Sequence, residues 1–374
     1  MKLTSAERRQ ALQEALQSRI LIIDGAMGTM LQQRNPTIED WGGPAFENCP
    51  ENLLYTRPDW IRDIHREYYQ AGADIVETDS FGGHTVTLAE FGLEHKIHEV
   101  NAMAAQIARE AASEFEAKDG LPRFVAGSIG PTTKAITVTG GITFDALRDG
   151  YYKQSKGLID GGADILLIET AQDTRNIKAA LLGINQLGRE LGYIIPVMVS
   201  GTIENTGTML AGQDAEALYA SLLHANILSI GLNCATGPEF MTDHIRSLHE
   251  MSHHHISCYP NAGVPNEELK YDETPESLAA QLEKFMQQGW LNIVGGCCGT
   301  TPDHIHSIAC IAKNHKPRPK KSPNNRAYFS GIELVEADET NRPLLVGERT
   351  NVIGSRLFKN LINCLLYTSD AADE

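Results

Sequence analysis

Gly72-Ala-Asp-Ile-Val-Glu-Thr78 is echoed by Gly162-Ala-Asp-Ile-Leu-Leu-Ile-Glu-Thr170. Each is a short aliphatic run that closes on Glu-Thr. Runs of this kind recur along the chain at 20–23, 74–77, 124–127, 165–168, 197–199, 228–232, 256–259 and 291–294. Each is rich in Ile, Val or Leu and short enough for a strand buried on both faces. Helical patterns lie between them, most clearly at 58–70, 147–159, 214–223, 239–250 and 276–288. Alternation of strand and helix with continuously apolar strands implies a parallel sheet. Eight units fit a (β/α)8 TIM barrel, for which roughly 250 residues is typical. A doubly wound open sheet is the rival. The count of eight and the internal echo favour the barrel, and no Gly-x-Gly-x-x-Gly turn follows the first run.

The composition narrows the classes. The chain has 374 residues, 42% apolar and 21% charged, which suits a folded globular protein rather than a disordered one. Acidic residues number 48 against 32 basic, a formal net charge of −16. Such a surface repels phosphate backbones and anionic membranes, so neither nucleic acid nor membrane is an expected partner. No run of 18 apolar residues occurs, and the opening residues are too polar for a secretory signal. Seven cysteines, an odd number with two adjacent, read as reduced thiols in a cytoplasmic setting.

The expected organisation is an N-terminal helix over 1–18, started by the capping-box spacing of Thr4 and Glu7, and then the barrel over 19–312. A basic, proline-containing linker follows over 313–342 and reads as exposed. Leu344-Leu-Val-Gly-Glu-Arg-Thr-Asn351 reads as one more strand, in a segment 343–362, and the tail is 363–374. The long connection 30–57 after the first strand contains Trp41 and is a lid candidate.

Catalytic residues of a barrel come from the C-terminal ends of several strands. Here those ends carry Asp24-Gly-Ala-Met-Gly28, Glu77-Thr-Asp-Ser80, Glu169-Thr170, Asn233-Cys234, Pro260-Asn-Ala-Gly263 and Gly295-Gly-Cys-Cys-Gly299. Cys234, Cys297 and Cys298 therefore face one mouth. Thiolates are preferred soft ligands of zinc, and three protein ligands leave a fourth position open, as in catalytic zinc. Buried structural thiols are the competing reading. Three thiolates with Zn²⁺ sum to −1, a poor activator of water but a good host for a substrate thiol, so thiol alkylation is the expected class. Asp24 and Glu169 could hold an ammonium group, and the amides from Gly25 through Ala26 to Gly28 could receive a carboxylate. An amino-acid thiol satisfies all of these features. The run His253-His254-His255 falls at the opposite face and reads as solvated loop histidines. Cys49, Cys258, Cys310 and Cys364 lack a convergent partner.

The motifs Asp24-Gly-Ala-Met-Gly-Thr29, Gly231-Leu-Asn-Cys234, Pro260-Asn-Ala-Gly263 and Gly295-Gly-Cys-Cys-Gly-Thr300 resemble the signature of the homocysteine S-methyltransferase family. A wider match, from about Arg8 to Ile362, includes Ser200-Gly-Thr-Ile203, Leu210-Ala-Gly-Gln213 and Gly347-Glu-Arg-Thr-Asn-Val-Ile-Gly-Ser355. It is similar to the N-terminal part of the cobalamin-dependent methionine synthases. The resemblance implies a zinc-binding (β/α)8 domain acting on homocysteine. It places zinc on Cys234, Cys297 and Cys298, with Asn261 as a fourth ligand before substrate arrives. It places the amino-acid contacts on the Asp24-Gly25 turn and Glu169. Its methyl donor would be methylcobalamin, bound by a domain absent from this chain and remethylated from methyltetrahydrofolate, and 343–362 would open a folate-binding domain. The residues after Ile362 depart from the family pattern. A stand-alone betaine- or S-methylmethionine-dependent methyltransferase is the alternative within the class. An inactive zinc- and homocysteine-binding module is the alternative outside it.

Overall fold

A computed structural model of the chain describes residues 3–266, 270–323, 326–346 and 353–363. All eight expected strands form: β1 (Leu21–Ile22), β2 (Ile75–Glu77), β3 (Phe124–Ile129), β4 (Ile165–Ala171), β5 (Val197–Gly201), β6 (Ser229–Asn233), β7 (His255–Tyr259) and β8 (Ile293–Val294). They pair in parallel in the order β1-β8-β7-β6-β5-β4-β3-β2. A parallel bridge between Ile23 and Ile75 brings β1 beside β2 and closes the ring. The fold is a (β/α)8 TIM barrel.

The internal echo has a physical content. Gly72 (φ 111°) and Gly162 (φ 104°) both turn the chain through left-handed backbone into a strand, a conformation glycine adopts without a Cβ clash. The aspartate two residues later does the same work twice. Asp74 accepts the amide of Ile22 at 2.9 Å and pairs with Arg19, while Asp164 accepts the amide of Val125 at 2.9 Å and pairs with Arg109. Each carboxylate ties the start of its strand to a neighbouring strand.

Alternate strand residues divide between two cores. Leu21, Ile23, Ile75, Phe124, Ile165, Leu167, Met198 and Ile293 fill one cluster, together with Leu12 and Leu16 of the N-terminal helix. Ile22, Val76, Val125, Leu166, Ile168, Val199, Ile230 and Val294 pack with the surrounding helices. Burial on both faces is why the strands read as continuous apolar runs. The N-terminal helix, Ser5–Ser18, has the expected Thr4–Glu7 capping box. Its Leu12 and Leu16 are each about 1% exposed and stop the barrel floor; burying each is worth roughly 1.5–3 kcal/mol.

Three expectations need correction. Segment 30–57 is not a loose lid. It carries the end of helix Met27–Gln33 and all of helix Pro50–Thr56, it buries Trp41, and Glu51 accepts the Gly82 amide at 2.5 Å beside the end of β2. The stretch 313–323 is not wholly exposed. Arg318 is 2% exposed and donates to the carbonyls of His249, Ser252 and His254, while its own carbonyl accepts from Asn292. These acceptors lie at the N-terminal barrel face and outnumber what a solvated linker would offer. Third, no strand forms over 344–346; residues 347–352 of that expectation, and Cys364 with the tail beyond Asn363, lie outside the described residues.

The chain divides into two units, one of residues 1–324 and 329–334 and the other of residues 325–328 and 335–374. In the first, Ser330 donates to the Ala217 carbonyl at 2.7 Å. In the second, Arg326 pairs with Glu336 at 2.8 Å, and a helix spans Arg356–Asn363. Among the described residues no helix is long and apolar enough to cross a membrane.

Candidate metal and substrate site

The C-terminal strand ends converge as a parallel barrel requires. Cys234 follows β6, and Cys297 and Cys298 follow β8. Their three sulfurs lie within 4.8 Å of one another, with Cys234 and Cys298 3.9 Å apart. A tetrahedral ion with metal–sulfur bonds of about 2.3 Å would set ligand sulfurs about 3.8 Å apart, so the spacing fits zinc. No disulfide joins them; all six cysteines among the described residues are free. Hydrogen bonds from Cys234 and Cys297 pull the Cys298 thiol well below its ordinary range, and the same contacts push Cys297 above it. Cys234 is pushed up as well, to about 11, so one thiolate, Cys298, is set between two thiols, and a soft cation would draw the protons from both.

Local backbone makes this convergence possible. Cys234 and Ala235 both have left-handed φ, 61° and 54°, a costly choice for residues with a Cβ. The neighbouring Asn233 holds the turn. Its amide donates to Thr170 Oγ1 at 2.8 Å, its oxygen accepts the Thr170 amide at 3.0 Å, and its Nδ2 lies 3.8 Å from Cys297 Sγ. After β8, Gly296 leaves room for Thr300, whose hydroxyl donates to the Cys297 carbonyl at 2.6 Å. Asn261 is placed beside the cluster, where its oxygen accepts the Cys298 amide at 3.1 Å. One lone pair is thereby used, and a second remains for a metal.

A group of buried carboxyls lines the same mouth. Asp24 is 2% exposed and accepts the Glu77 amide at 3.1 Å on each oxygen. Glu169 accepts from Ser128 Oγ and faces Glu77 closely enough to share a proton. Burial raises all three. It takes Asp24 and Glu77 well above the carboxylate range and Glu169 to about 7. Glu77 Oε1 is buried without a hydrogen-bond partner among the described residues. An acid trio with one unsatisfied oxygen, and with no cation paired to it among the described residues, can receive an ammonium group. The turn from Asp24 leads into helix Met27–Gln33. The Ala26 amide is already taken by Thr300 Oγ1 at 3.2 Å, so the free first-turn amides are those of Met27 and Gly28. Gly25 has to be glycine here, since a Cβ would meet Thr300 Oγ1 at 2.5 Å and Tyr68 Oη at 2.9 Å.

The expected Asp24, Gly25, Ala26, Glu169, Asn261 and cysteine positions therefore share one mouth. Glu77, Asn233 and Tyr271 complete it; the first two are strand-end residues given no role from the sequence, and the third was not named. Tyr271 hydrogen-bonds to Cys298, and burial, followed by the Cys298 charge, raises its phenol. Glu77 had a signal, because it occupies in the first repeat the place that Glu169 occupies in the second. Tyr271 had none, since it lies on an irregular segment far from any motif.

The remaining cysteines stand apart: Cys258 is buried against Met241, Cys49 is buried near Glu51, and Cys310 is exposed beside His306. The histidine run lies at the N-terminal face as expected, but it is half-buried rather than solvated, with His255 as the first residue of β7.

Comparison with known proteins agrees with this arrangement. Crystal structures of the homocysteine methyltransferase MmuM from Escherichia coli match 81% of this chain and 99% of their own at 25% identity. TM-scores are 0.66 for the metallated form and 0.65 for the oxidized form. The profile described as homocysteine S-methyltransferase matches residues 21–312, which hold all eight barrel strands and Cys234, Cys297 and Cys298. With three sulfurs gathered at the mouth of a barrel matched from end to end, the chain belongs to the homocysteine S-methyltransferase family.

Proposed function

We propose that this chain is the homocysteine-activating domain of a zinc-dependent, cobalamin-dependent methionine synthase acting in the cytoplasm. The observation that carries the reading is the meeting of Cys234, Cys297 and Cys298 beside the buried Asp24 and Glu169 and the half-buried Glu77. Zinc held by the three sulfurs, with Asn261 as a fourth ligand before substrate arrives, would lower the pKa of a substrate thiol and keep it as thiolate near neutral pH.

The protein's own groups do the rest. Asp24, Glu77 and Glu169 receive the homocysteine ammonium, whose single positive charge favours ionisation of Glu169, the acid of the three that burial raises least far. The first-turn amides of Met27 and Gly28 receive its carboxylate. Asn233 and Thr300 keep the cysteine loops in place. The homocysteine sulfur then forms its bond to the methyl carbon as the donor's bond to that carbon breaks, giving methionine. The donor is methylcobalamin carried by a domain outside this chain, its methyl originating from 5-methyltetrahydrofolate. The motif Gly347-Glu-Arg-Thr-Asn351 beyond the barrel supports this choice of donor.

One observation favours a second reading. The E. coli homocysteine methyltransferase is covered over 99% of its length, so this barrel corresponds to a whole enzyme of that kind. On that reading the donor is a small molecule such as S-methylmethionine or betaine. Supplying methylcobalamin, methyltetrahydrofolate, S-methylmethionine and betaine separately with homocysteine distinguishes the two. Methionine formation first order in free methylcobalamin, and none from methyltetrahydrofolate alone, is expected. Turnover with S-methylmethionine or betaine but not methylcobalamin would replace the first reading with the second.

A further inference from the structure

The barrel end opposite the cysteines holds a cavity of about 390 Å³ with a polar and an apolar wall. Its polar wall comes from four parts of the chain: Arg9 and Gln13 of the first helix, Asn226 ahead of β6, the histidines 253–255 at the entry to β7, and Lys320 of the segment after the barrel. No acidic residue lines it, although the chain carries 48 acids against 32 bases. Neither Arg9 nor Lys320 is paired with a carboxylate among the described residues. The Arg9 guanidinium instead lies over the Tyr193 ring at 4.0 Å.

His253 and His254 are held in place. Their rings lie 4.0 Å apart, and their Nδ1 atoms share the Tyr219 hydroxyl at 3.1 and 3.2 Å. Among the described residues no protein group bonds to their Nε2 atoms. Burial, and after it the nearby histidines, Lys320 and Arg318, hold His254 down at about 4. The imidazoles are therefore neutral near pH 7, and the positive charge of the cavity is that of Arg9 and Lys320, with no acid in the lining. The other wall is apolar and includes Ile194, 67% exposed, and Leu228.

We infer that this cavity binds a small organic phosphate, its oxyanion between Arg9 and Lys320 and its organic part against Ile194. A tetrahedral dianion suits two full cations beside one imidazole N–H better than a planar monoanionic carboxylate does. Because the ligand would touch the first helix, the β7 entry and the post-barrel segment together, it would also stabilise the fold by mass action.

The test uses the full chain at constant ionic strength, titrated by calorimetry with phenyl phosphate, inorganic phosphate and benzoate. Phenyl phosphate should saturate at one per chain and bind more tightly than inorganic phosphate. Benzoate should bind about tenfold more weakly or worse. Imidazole resonances of His253 and His254 should move on titration, while those of the exposed His98 and His306 should not. Arg9→Gln and Lys320→Gln should each weaken phenyl phosphate by about tenfold or more, with far-UV circular dichroism and metal content unchanged. Lys320 is exposed, so its variant remains informative if the Arg9 variant folds poorly. Absence of saturation by about 10 mM, a Kd at which binding is worth under 3 kcal/mol, would overturn the inference. So would a Lys320 variant that binds like the parent, or benzoate binding as tightly as phenyl phosphate.

Discussion

Replacing Glu169 with Gln should stabilise the metal-free, substrate-free protein, by an amount that grows as pH rises from 4.5 to 7 and then levels off. Burial raises the Glu169 carboxyl from 4.5 to about 7. The folded state therefore holds this proton more tightly than the unfolded chain does. Stability from this group is full below pH 4.5 and is lost as pH rises through 7. A difference of about 2.5 units at 1.36 kcal/mol each makes the loss about 3 kcal/mol by pH 8, and under about 1 kcal/mol at pH 5. Gln has the shape of the protonated acid. Its oxygen can still accept from Ser128, as the Glu169 carboxyl does in the parent. Guanidinium unfolding of parent and variant at pH 5 and pH 8 measures the effect. The expected gain is about 3 kcal/mol at pH 8 and less than about 1 at pH 5. The same variant should lose homocysteine affinity, because it removes a partner of the ammonium. A variant destabilised at pH 8, or stabilised equally at both pH values, would show that the acid trio is not held protonated by burial.

Further outcomes follow from the same geometry. Zinc should bind at one ion per chain by elemental analysis, and Cys234→Ser, Cys297→Ser or Cys298→Ser should each abolish tight binding, whereas Cys258→Ser and Cys310→Ser should not; full occupancy in Cys297→Ser would sink the site. Gly296→Ala should reduce zinc content, because a Cβ there collides with the Thr300 side chain that anchors the Cys297 carbonyl; unchanged metal content and unfolding would refute this. Arg318→Met should destabilise the barrel by about 3 kcal/mol or more, since it leaves several buried carbonyls without a donor, and a loss under about 1 kcal/mol would mean that the post-barrel segment is not docked by this residue.

What the amino-acid sequence determined by itself was the set of local periodicities and their count. Eight aliphatic runs with helices between them were legible because each run is buried on both faces, and burial on both faces leaves an uninterrupted apolar stretch. The Thr4–Glu7 cap was legible because its partners are three residues apart. The cysteines were legible as one site only through topology, since parallel strands put all their C-terminal ends on one face. Tertiary structure decided the rest. Cys234 and Cys298 stand 64 residues apart in the chain, and their 3.9 Å separation depends on a left-handed turn at Cys234 that no local preference announces. Glu77 becomes part of the site only because ring closure sets β2 beside β1 and turns its carboxyl toward Glu169. Arg318 looked like linker charge because composition records polarity and not neighbours. Its carbonyl acceptors are up to 69 residues away, at the exposed ends of elements that the barrel brings together. Period and sign of charge are properties of a segment, whereas burial and proton sharing are properties of what the fold sets against it.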